Sequence, residues 1–344
     1  ADLVREALAV IETFGAFDYP SPRAWLNDGT GRMRRAHGSE VFPYPAYVER
    51  VELVDLDGDL DLDALAGEYL LVNVGLGRFV LDPLAQPLAL GSDQAFADFD
   101  GDGFLDALYL SGGTPVLFAN DGSGHFSDVS ANLPAGLPVM AFVAAGDVDG
   151  DLDVDLLAGS FGLTYLLLND GSGVFADASV NLPAATTWGG FELADVDGDL
   201  DLDALAFGEL WTNDGAGHFA DASAQLPGTS GAGGEIFDLE GDGDPDLLSG
   251  SSVLVNDGGG FFTLATGIVP AIPSNRRVGD LDMDGDADLV GGTIWNVSSN
   301  GYYEIAGTCT TLLGNGLGPF ESITSVRGEV APPVLYGNVV VLAD

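Results

Sequence analysis

An aspartate-rich nonapeptide recurs at a nearly fixed step along this chain, and that period limits the fold more than any other feature. The copies read "DLDGDLDLD" (Asp55 to Asp63), "DFDGDGFLD" (Asp98 to Asp106), "DVDGDLDVD" (Asp147 to Asp155) and "DVDGDLDLD" (Asp195 to Asp203). Two variants follow, "DLEGDGDPD" (Asp238 to Asp246) and "DLDMDGDAD" (Asp280 to Asp288). Their first aspartates are 43, 49, 48, 43 and 42 residues apart. A period in the forties marks a stack of similar supersecondary units, not two or three unrelated domains.

A second marker follows each acidic loop. "LFANDGSGHF", "LLLNDGSGVF" and "LWTNDGAGHF" end at Phe126, Phe175 and Phe219, and looser copies end at Phe79, Phe262 and Phe320. A seventh, "AWLNDGTGRM", stands at Ala24 to Met33, ahead of the first acidic loop. Apolar residues flanking Asn-Asp-Gly describe a hairpin, since asparagine and glycine tolerate positive φ. Short apolar runs on either side of each acidic turn supply two more strands, so every unit reads strand, acidic turn, strand, strand, hairpin, strand. Four short strands per unit predict an all-β propeller. Seven hairpins against six complete acidic loops predict seven four-stranded blades. The closing blade would combine residues 1–35 with 334–344, pairing the C-terminal strand with the N-terminal strands, and pairing the termini removes exposed sheet edges. The chain then reads as a single domain over 1–344 that starts and stops within a repeat.

Charge sharpens the question of what the loops do. There are 54 acidic residues against 10 basic ones, all arginine, for a formal charge of −44. Nucleic acid and anionic membrane surfaces both need basic patches, so neither is an expected partner. With 46% hydrophobic residues the chain is no acidic disordered tail. No uncharged stretch reads as membrane-spanning. Like charges at 4 Å repel by roughly 1 kcal/mol even in water, so clustered carboxylates call for a counter-ion. Carboxylates at positions 1, 3, 5 and 9 of a tight loop, with a carbonyl at position 7, suit a hard cation such as Ca²⁺, which takes six to eight oxygens. An EF-hand would need glutamate at position 12 and flanking helices. Position 12 is Ala66, Tyr109, Ala158 or Ala206 in the first four loops, and the flanks are strands.

The "DxDGDxDxD" loops and "NDGSGxF" hairpins together resemble the FG-GAP/VCBS repeat family, the calcium-binding propeller repeats of integrin α-subunit heads and many secreted bacterial proteins. The resemblance implies about six bound Ca²⁺ ions in a structural role. Its ligands in the first loop would be Asp55, Asp57, Asp59 and Asp63, with the carbonyl of Asp61. The second would use Asp98, Asp100, Asp102, Asp106 and the carbonyl of Phe104; the third Asp147, Asp149, Asp151, Asp155 and that of Asp153. The fourth would use Asp195, Asp197, Asp199, Asp203 and that of Asp201. In the fifth they would be Asp238, Glu240, Asp242, Asp246 and the carbonyl of Asp244, and in the sixth Asp280, Asp282, Asp284, Asp288 and that of Asp286. The family also implies an extracellular or cell-surface setting.

Function beyond metal binding is expected on the longest connections. From closing aspartate to hairpin asparagine most units use 10 or 14 residues, the sixth uses 27 (Asp288 to Asn315) and the seventh 25 (Asp2 to Asn27). Loops on a rigid scaffold commonly carry function. Trp295, Tyr302 and Tyr303 of the sixth insertion, with Phe17 and Tyr19 of the seventh, are therefore the candidate ligand face. The bland alternative is an extra hairpin that only caps the ring. Trp25 and Trp211 read as core, His125 and His218 as hairpin decoration, and Arg32, Arg34 and Arg35 as charge guarding an edge strand. No Gly-x-Ser-x-Gly elbow is present and Cys309 has no neighbouring base, so no enzyme is expected. The expectation is a non-catalytic calcium-binding module for protein or glycan adhesion at the cell surface, monomeric or part of a larger chain. A lectin-like propeller and the scaffold of a secreted polysaccharide-degrading enzyme are the alternatives; the chain has no lysine to line a lyase cleft.

Overall fold

The computed structural model describes residues 93–265 apart from 161, 185–189, 207, 228–233, 240 and 250–251, together with 51–59, 63–66, 69–73 and 79–81. In the terminal regions it describes the strands 8–12, 23–27, 33–35, 275–279, 288–299, 302–313, 321–327 and 339–340. Every regular element among these residues is a β-strand, save three single-turn 3₁₀ helices after the hairpins (Ser130–Asn132, Ser179–Asn181, Ser223–Gln225). None is a helix long and apolar enough to cross a membrane.

The strands form open, four-stranded antiparallel sheets in sequence order, so each unit builds one sheet. The sheet at Gln94–Ala97, Asp106–Ser111, Thr114–Asn120 and Phe126–Asp128 is representative. The acidic loop joins its first two strands and the Asn-Asp-Gly hairpin its last two. First strands of successive units, from Gln94–Ala97 through Phe142–Gly146, Phe191–Ala194 and Gly234–Phe237 to Asn275–Gly279, lie side by side. One further four-stranded sheet is composite. There Val339–Val340 pairs with Leu8–Glu12, which pairs with Arg23–Asn27, and Met33–Arg35 forms the edge.

Apolar side chains pack between neighbouring sheets. Phe99, Leu108, Leu110 and Leu117 of one sheet meet Val143, Leu156, Leu167 and Phe175 of the next, and the Phe99 and Phe175 rings meet edge-on at 5.7 Å. Val148, Leu157 and Leu166 meet Phe191, Trp211 and Phe219 in the same way, and Val196, Leu205 and Leu210 meet Leu254 and Phe262. The second residue of each of the first four acidic loops (Leu56, Phe99, Val148, Val196) thus shares an apolar core with the phenylalanine closing the next sheet's hairpin (Phe126, Phe175, Phe219, Phe262). Trp211 is buried, as expected; the side chain of Trp25 lies outside the described residues.

The long sixth connection is built as strand. Asp288–Ser299 and Tyr302–Leu313 are paired strands of twelve residues each, against four to seven residues for the equivalent strands elsewhere. Its register pairs Trp295 with Ala306, Ser298 with Tyr303 and Ser299 with Tyr302. Trp295 and Tyr302 therefore belong to one side of the ladder and Tyr303 to the other. Phe17 and Tyr19 lie outside the described residues.

Two leucines stand out in the backbone. Leu152 and Leu200, sixth in their acidic loops, have φ of 75° and 76° and are 88% and 89% exposed. Glycine fills this position in two other loops, as Gly103 and Gly243, also with positive φ. A left-handed non-glycine residue costs about 1–2 kcal/mol, and such exposure recovers little by burial. Leu152→Gly should therefore raise the unfolding free energy by up to about 1 kcal/mol, after the extra backbone entropy of glycine is subtracted. Chemical denaturation checks this; a loss of about 2 kcal/mol, the scale of a buried leucine, would mean that Leu152 packs in solution.

Candidate metal centres

Each of the first five acidic loops is organised by its first and last aspartates. The first caps the turn: Asp147 Oδ1 accepts the Gly150 N–H at 2.8 Å and its Oδ2 the Leu152 N–H at 3.0 Å. Asp195 repeats this with Gly198 and Leu200, and Asp238 with Gly241 and Gly243. These bonds need the sixth residue in the left-handed region, which accounts for the backbone at Leu152 and Leu200.

The ninth-position aspartate is buried at 0–1% exposure in five loops, as Asp63, Asp106, Asp155, Asp203 and Asp246. Its Oδ2 accepts the N–H of the loop's second residue, as from Val148 to Asp155 at 3.0 Å. Its Oδ1 accepts the backbone N–H of the hairpin asparagine of its own sheet, as from Asn169 to Asp155 at 2.8 Å. The same pair of bonds recurs at Asp63, Asp106, Asp203 and Asp246. Burial is the largest influence on these carboxyls and pushes each up from 3.8 to about 6, against the backbone amides that favour the anion.

Carboxylate oxygens of positions 1, 3 and 9 converge in three loops: Asp55, Asp57 and Asp63; Asp98, Asp100 and Asp106; Asp147, Asp149 and Asp155. In the fourth loop Asp195, Asp197 and Asp199 converge. Within each group the oxygens lie within 4.8 Å of one another. Two ligands of one Ca²⁺, each at about 2.3–2.6 Å, lie at most about 5 Å apart. Oxygens gathered this closely can share one hard cation. A second observation agrees: Oδ1 of Asp149 and of Asp197, at position 3, is buried with no hydrogen-bond partner. A buried carboxylate oxygen left in that state is costly, and a cation at the cluster would satisfy it. Position 3 carboxyls are also raised, by burial first and then by the neighbouring position 5 carboxylate.

Position 5 carboxylates also serve the loop itself, Asp102 accepting the Phe104 N–H and Asp151 the Asp153 N–H. Position 7 side chains turn away to the hairpin of their own sheet. A Cβ on Gly171 would sit 2.4 Å from Asp153 Oδ2, one on Gly215 2.4 Å from Asp201 Oδ2, and one on Gly122 2.4 Å from the Phe104 ring. Glycine at those hairpin positions is therefore a packing requirement. Asp61, Glu240, Asp280, Asp282, Asp284 and Asp286 lie outside the described residues, and of Asp288 only the backbone is described.

Sequence reasoning missed the hairpin asparagine. It was expected to supply positive φ, but among the described residues the only non-glycine residues with positive φ are Leu152 and Leu200. Its amide is what the fold uses. Asn169 Nδ2 donates to Val154 O of its own sheet at 3.2 Å and to Phe99 O of the preceding sheet at 2.8 Å. Asn120, Asn213 and Asn256 reach back in the same way to Leu56, Val148 and Val196. The recurrence of asparagine, where glycine or aspartate would turn equally well, was the available signal. The histidines are surface groups: His125 Nδ1 lies 2.6 Å from Ser123 Oγ and His218 Nδ1 3.2 Å from Asp214 Oδ1.

Without a cation, the folded chain holds protons on the five ninth-position carboxyls that an unfolded chain releases above 3.8. Their contribution is complete below 3.8 and is lost as pH rises through about 6. In chelator, unfolding free energy should fall over that window. In excess calcium the trend should reverse, because protons compete with the cation. Denaturation curves at a series of pH values check both slopes, and a rise with pH in chelator would contradict the burial of these groups.

Comparison with known proteins agrees with this architecture. An FG-GAP-like repeat family matches residues 98–158 and 147–206. No curated protein matches the chain. Among solved structures, a lectin of Agrocybe aegerita described as recognising non-reducing terminal N-acetylglucosamine aligns at 17% identity. It covers 94% of this chain and 90% of its own, with a TM-score of 0.66. The biofilm matrix protein Bap1 of V. cholerae aligns at 18% identity over 70% of this chain and 42% of its own, with a TM-score of 0.41. Residues 98–206 are thus similar to FG-GAP-like repeats.

Proposed function

We propose that this protein is a non-catalytic binding module: a seven-bladed β-propeller whose acidic loops take calcium as structural ions. The observation that carries the reading is the recurrence, in four successive loops, of three carboxylates gathered within 4.8 Å. Catalytic groups are seldom copied around a scaffold, whereas structural ions belong in every repeat. The composite sheet that joins Val339–Val340 to Leu8–Glu12 supports seven blades and a ring closed through the termini. Six complete loops imply about six ions. Affinities of about 10⁻⁴–10⁻³ M are enough where calcium is millimolar, which favours an extracellular or cell-surface setting.

The partner proposed is a glycan or a protein. The lectin with which the chain shares its fold gives the glycan arm its support. The ligand face proposed is the extended hairpin bearing Trp295 and Tyr302, with Tyr303 on its other side and Phe17 and Tyr19 contributed by the N-terminal segment. Aromatic residues are favoured anchors at such surfaces.

Thermal melts in chelator and in millimolar calcium test the structural role. One site at a hundredfold excess over its Kd adds about 2.7 kcal/mol, so several sites should raise Tm by at least about 5 °C. Coincident melts would sink the metal assignment. A glycan array with and without calcium, run beside Trp295→Ala, tests the binding role. Calcium-dependent retention of one glycan class that Trp295→Ala abolishes with Tm unchanged is the expected result. An unresponsive array would turn the reading to a protein ligand, and a Trp295→Ala variant that unfolds would make the hairpin structural.

A further inference from the structure

The second to fourth residues of the second, third and fourth acidic loops are held by the hairpin of the following sheet. In the third loop, Val148 O accepts two hydrogen bonds, from Asn213 Nδ2 at 2.7 Å and from the Gly217 N–H at 3.0 Å, both from the next sheet's hairpin. That hairpin also covers the loop. A Cβ on Gly217 would lie 3.5 Å from Asp149 Cβ, and one on Gly150 would lie 3.1 Å from Gly215 O. Asp149, whose Oδ1 is buried and unpartnered, is thus walled in by a neighbour it does not bond. The arrangement repeats one sheet on, where Asn256 Nδ2 donates to Val196 O and a Cβ on Gly260 would lie 3.4 Å from Asp197 Cβ. It repeats one sheet back, with Asn169 Nδ2 on Phe99 O and Gly173 over Asp100.

The same asparagine is tied to the acidic loop of its own sheet. The Asn213 backbone N–H donates to Asp203 Oδ1, and its Nδ2 also donates to Leu202 O at 3.1 Å. One side chain therefore touches two loops: the third, through the peptide that carries Asp149, and the fourth, beside Asp203.

We propose that the hairpin asparagine is a positioning residue for the cation site of the preceding sheet, so that each site is completed by two sheets and neighbouring sites fill as a coupled set. The inference rests on the calcium reading above. A loop whose second-residue carbonyl is pinned presents its position 3 carboxylate in a fixed place. Ordering that loop stiffens the hairpin holding it, and through Asn213 the next loop. Coupling energies between linked sites commonly amount to a factor of about 5–150 in affinity, and the effect is reciprocal.

The test is a calcium titration followed at the amide resonances of Gly58, Gly150 and Gly198, one reporter per loop. In Asn213→Ala the Asp149 amide should shift in calcium-free protein, because the carbonyl of its own peptide loses a donor. The Gly150 and Gly198 transitions should move to at least about fivefold higher calcium, while Gly58, two sheets from the third loop, titrates as before. A Gly150 transition unchanged within about twofold would overturn the proposal. Should Asn213→Ala fail to fold, Asp147→Ala, which leaves the asparagine bonds intact, decides the matter. Loss of the third site should weaken Gly198 at least about fivefold and spare Gly58; an unchanged Gly198 would overturn it. Absence of calcium binding at all three reporters in the unmodified protein would instead sink the calcium reading itself.

Discussion

Five buried aspartates hold this fold together, each closing an acidic loop and each accepting two backbone amides. Asp155 joins the second residue of its loop to the asparagine of its own hairpin, and the amide of Asn213 in the next sheet takes the carbonyl of that second residue. The bonds run on from Asp203 through Val196 to Asn256 and Asp246. In the other direction they run through Phe99, Asp106, Asn120 and Leu56 to Asp63. A single polar path thus crosses four sheet interfaces, beside the apolar cores that fill them. Hydrogen bonds to a charged acceptor are worth about 1.5–3 kcal/mol each when made, and a buried partner left alone costs more. Each residue along the path is correspondingly difficult to replace.

The same aspartates explain why so acidic a chain remains folded. Charge repulsion opposes gathering carboxylates, and burial, the largest influence, helped by neighbouring carboxylates and opposed by the backbone amides, leaves the ninth-position groups pushed up to about 6. Backbone amides neutralise part of the charge, and a hard cation among positions 1, 3 and 9 would neutralise the rest. The loop is therefore both a fold element and a candidate metal centre, and the two roles share atoms. Position 9 faces amides on both oxygens and still contributes to the cluster in three loops.

Much of the architecture was legible in the sequence because the repeat states it six times. The acidic turn, the strand on either side and the hairpin at Asn120, Asn169, Asn213 and Asn256 follow from period and turn chemistry. What stayed hidden depends on neighbours distant in sequence. Asn169 reaches Phe99 across 70 residues, and nothing local separates that bond from an ordinary turn preference. Leu152 reads as an apolar residue in a loop, and only the capping bond to Asp147 reveals a left-handed backbone. The long sixth connection looked like a loop because "TIWNVSSNGYYEIAG" interrupts the repeat pattern, yet its β-branched and aromatic residues extend the strands already begun at Asp288. A partner is not legible in the repeat, since a binding surface is set by side chains the repeat does not constrain.

Native-state hydrogen exchange in saturating calcium tests the central claim most directly. The amides of Phe99, Val148, Val196, Asn120, Asn169 and Asn213, all donors to buried aspartates, should form the slowest set and exchange together, through global unfolding. If they exchange as fast as the exposed hairpin amides of Ser123 and Ser172, the aspartate–asparagine path does not hold the sheets together.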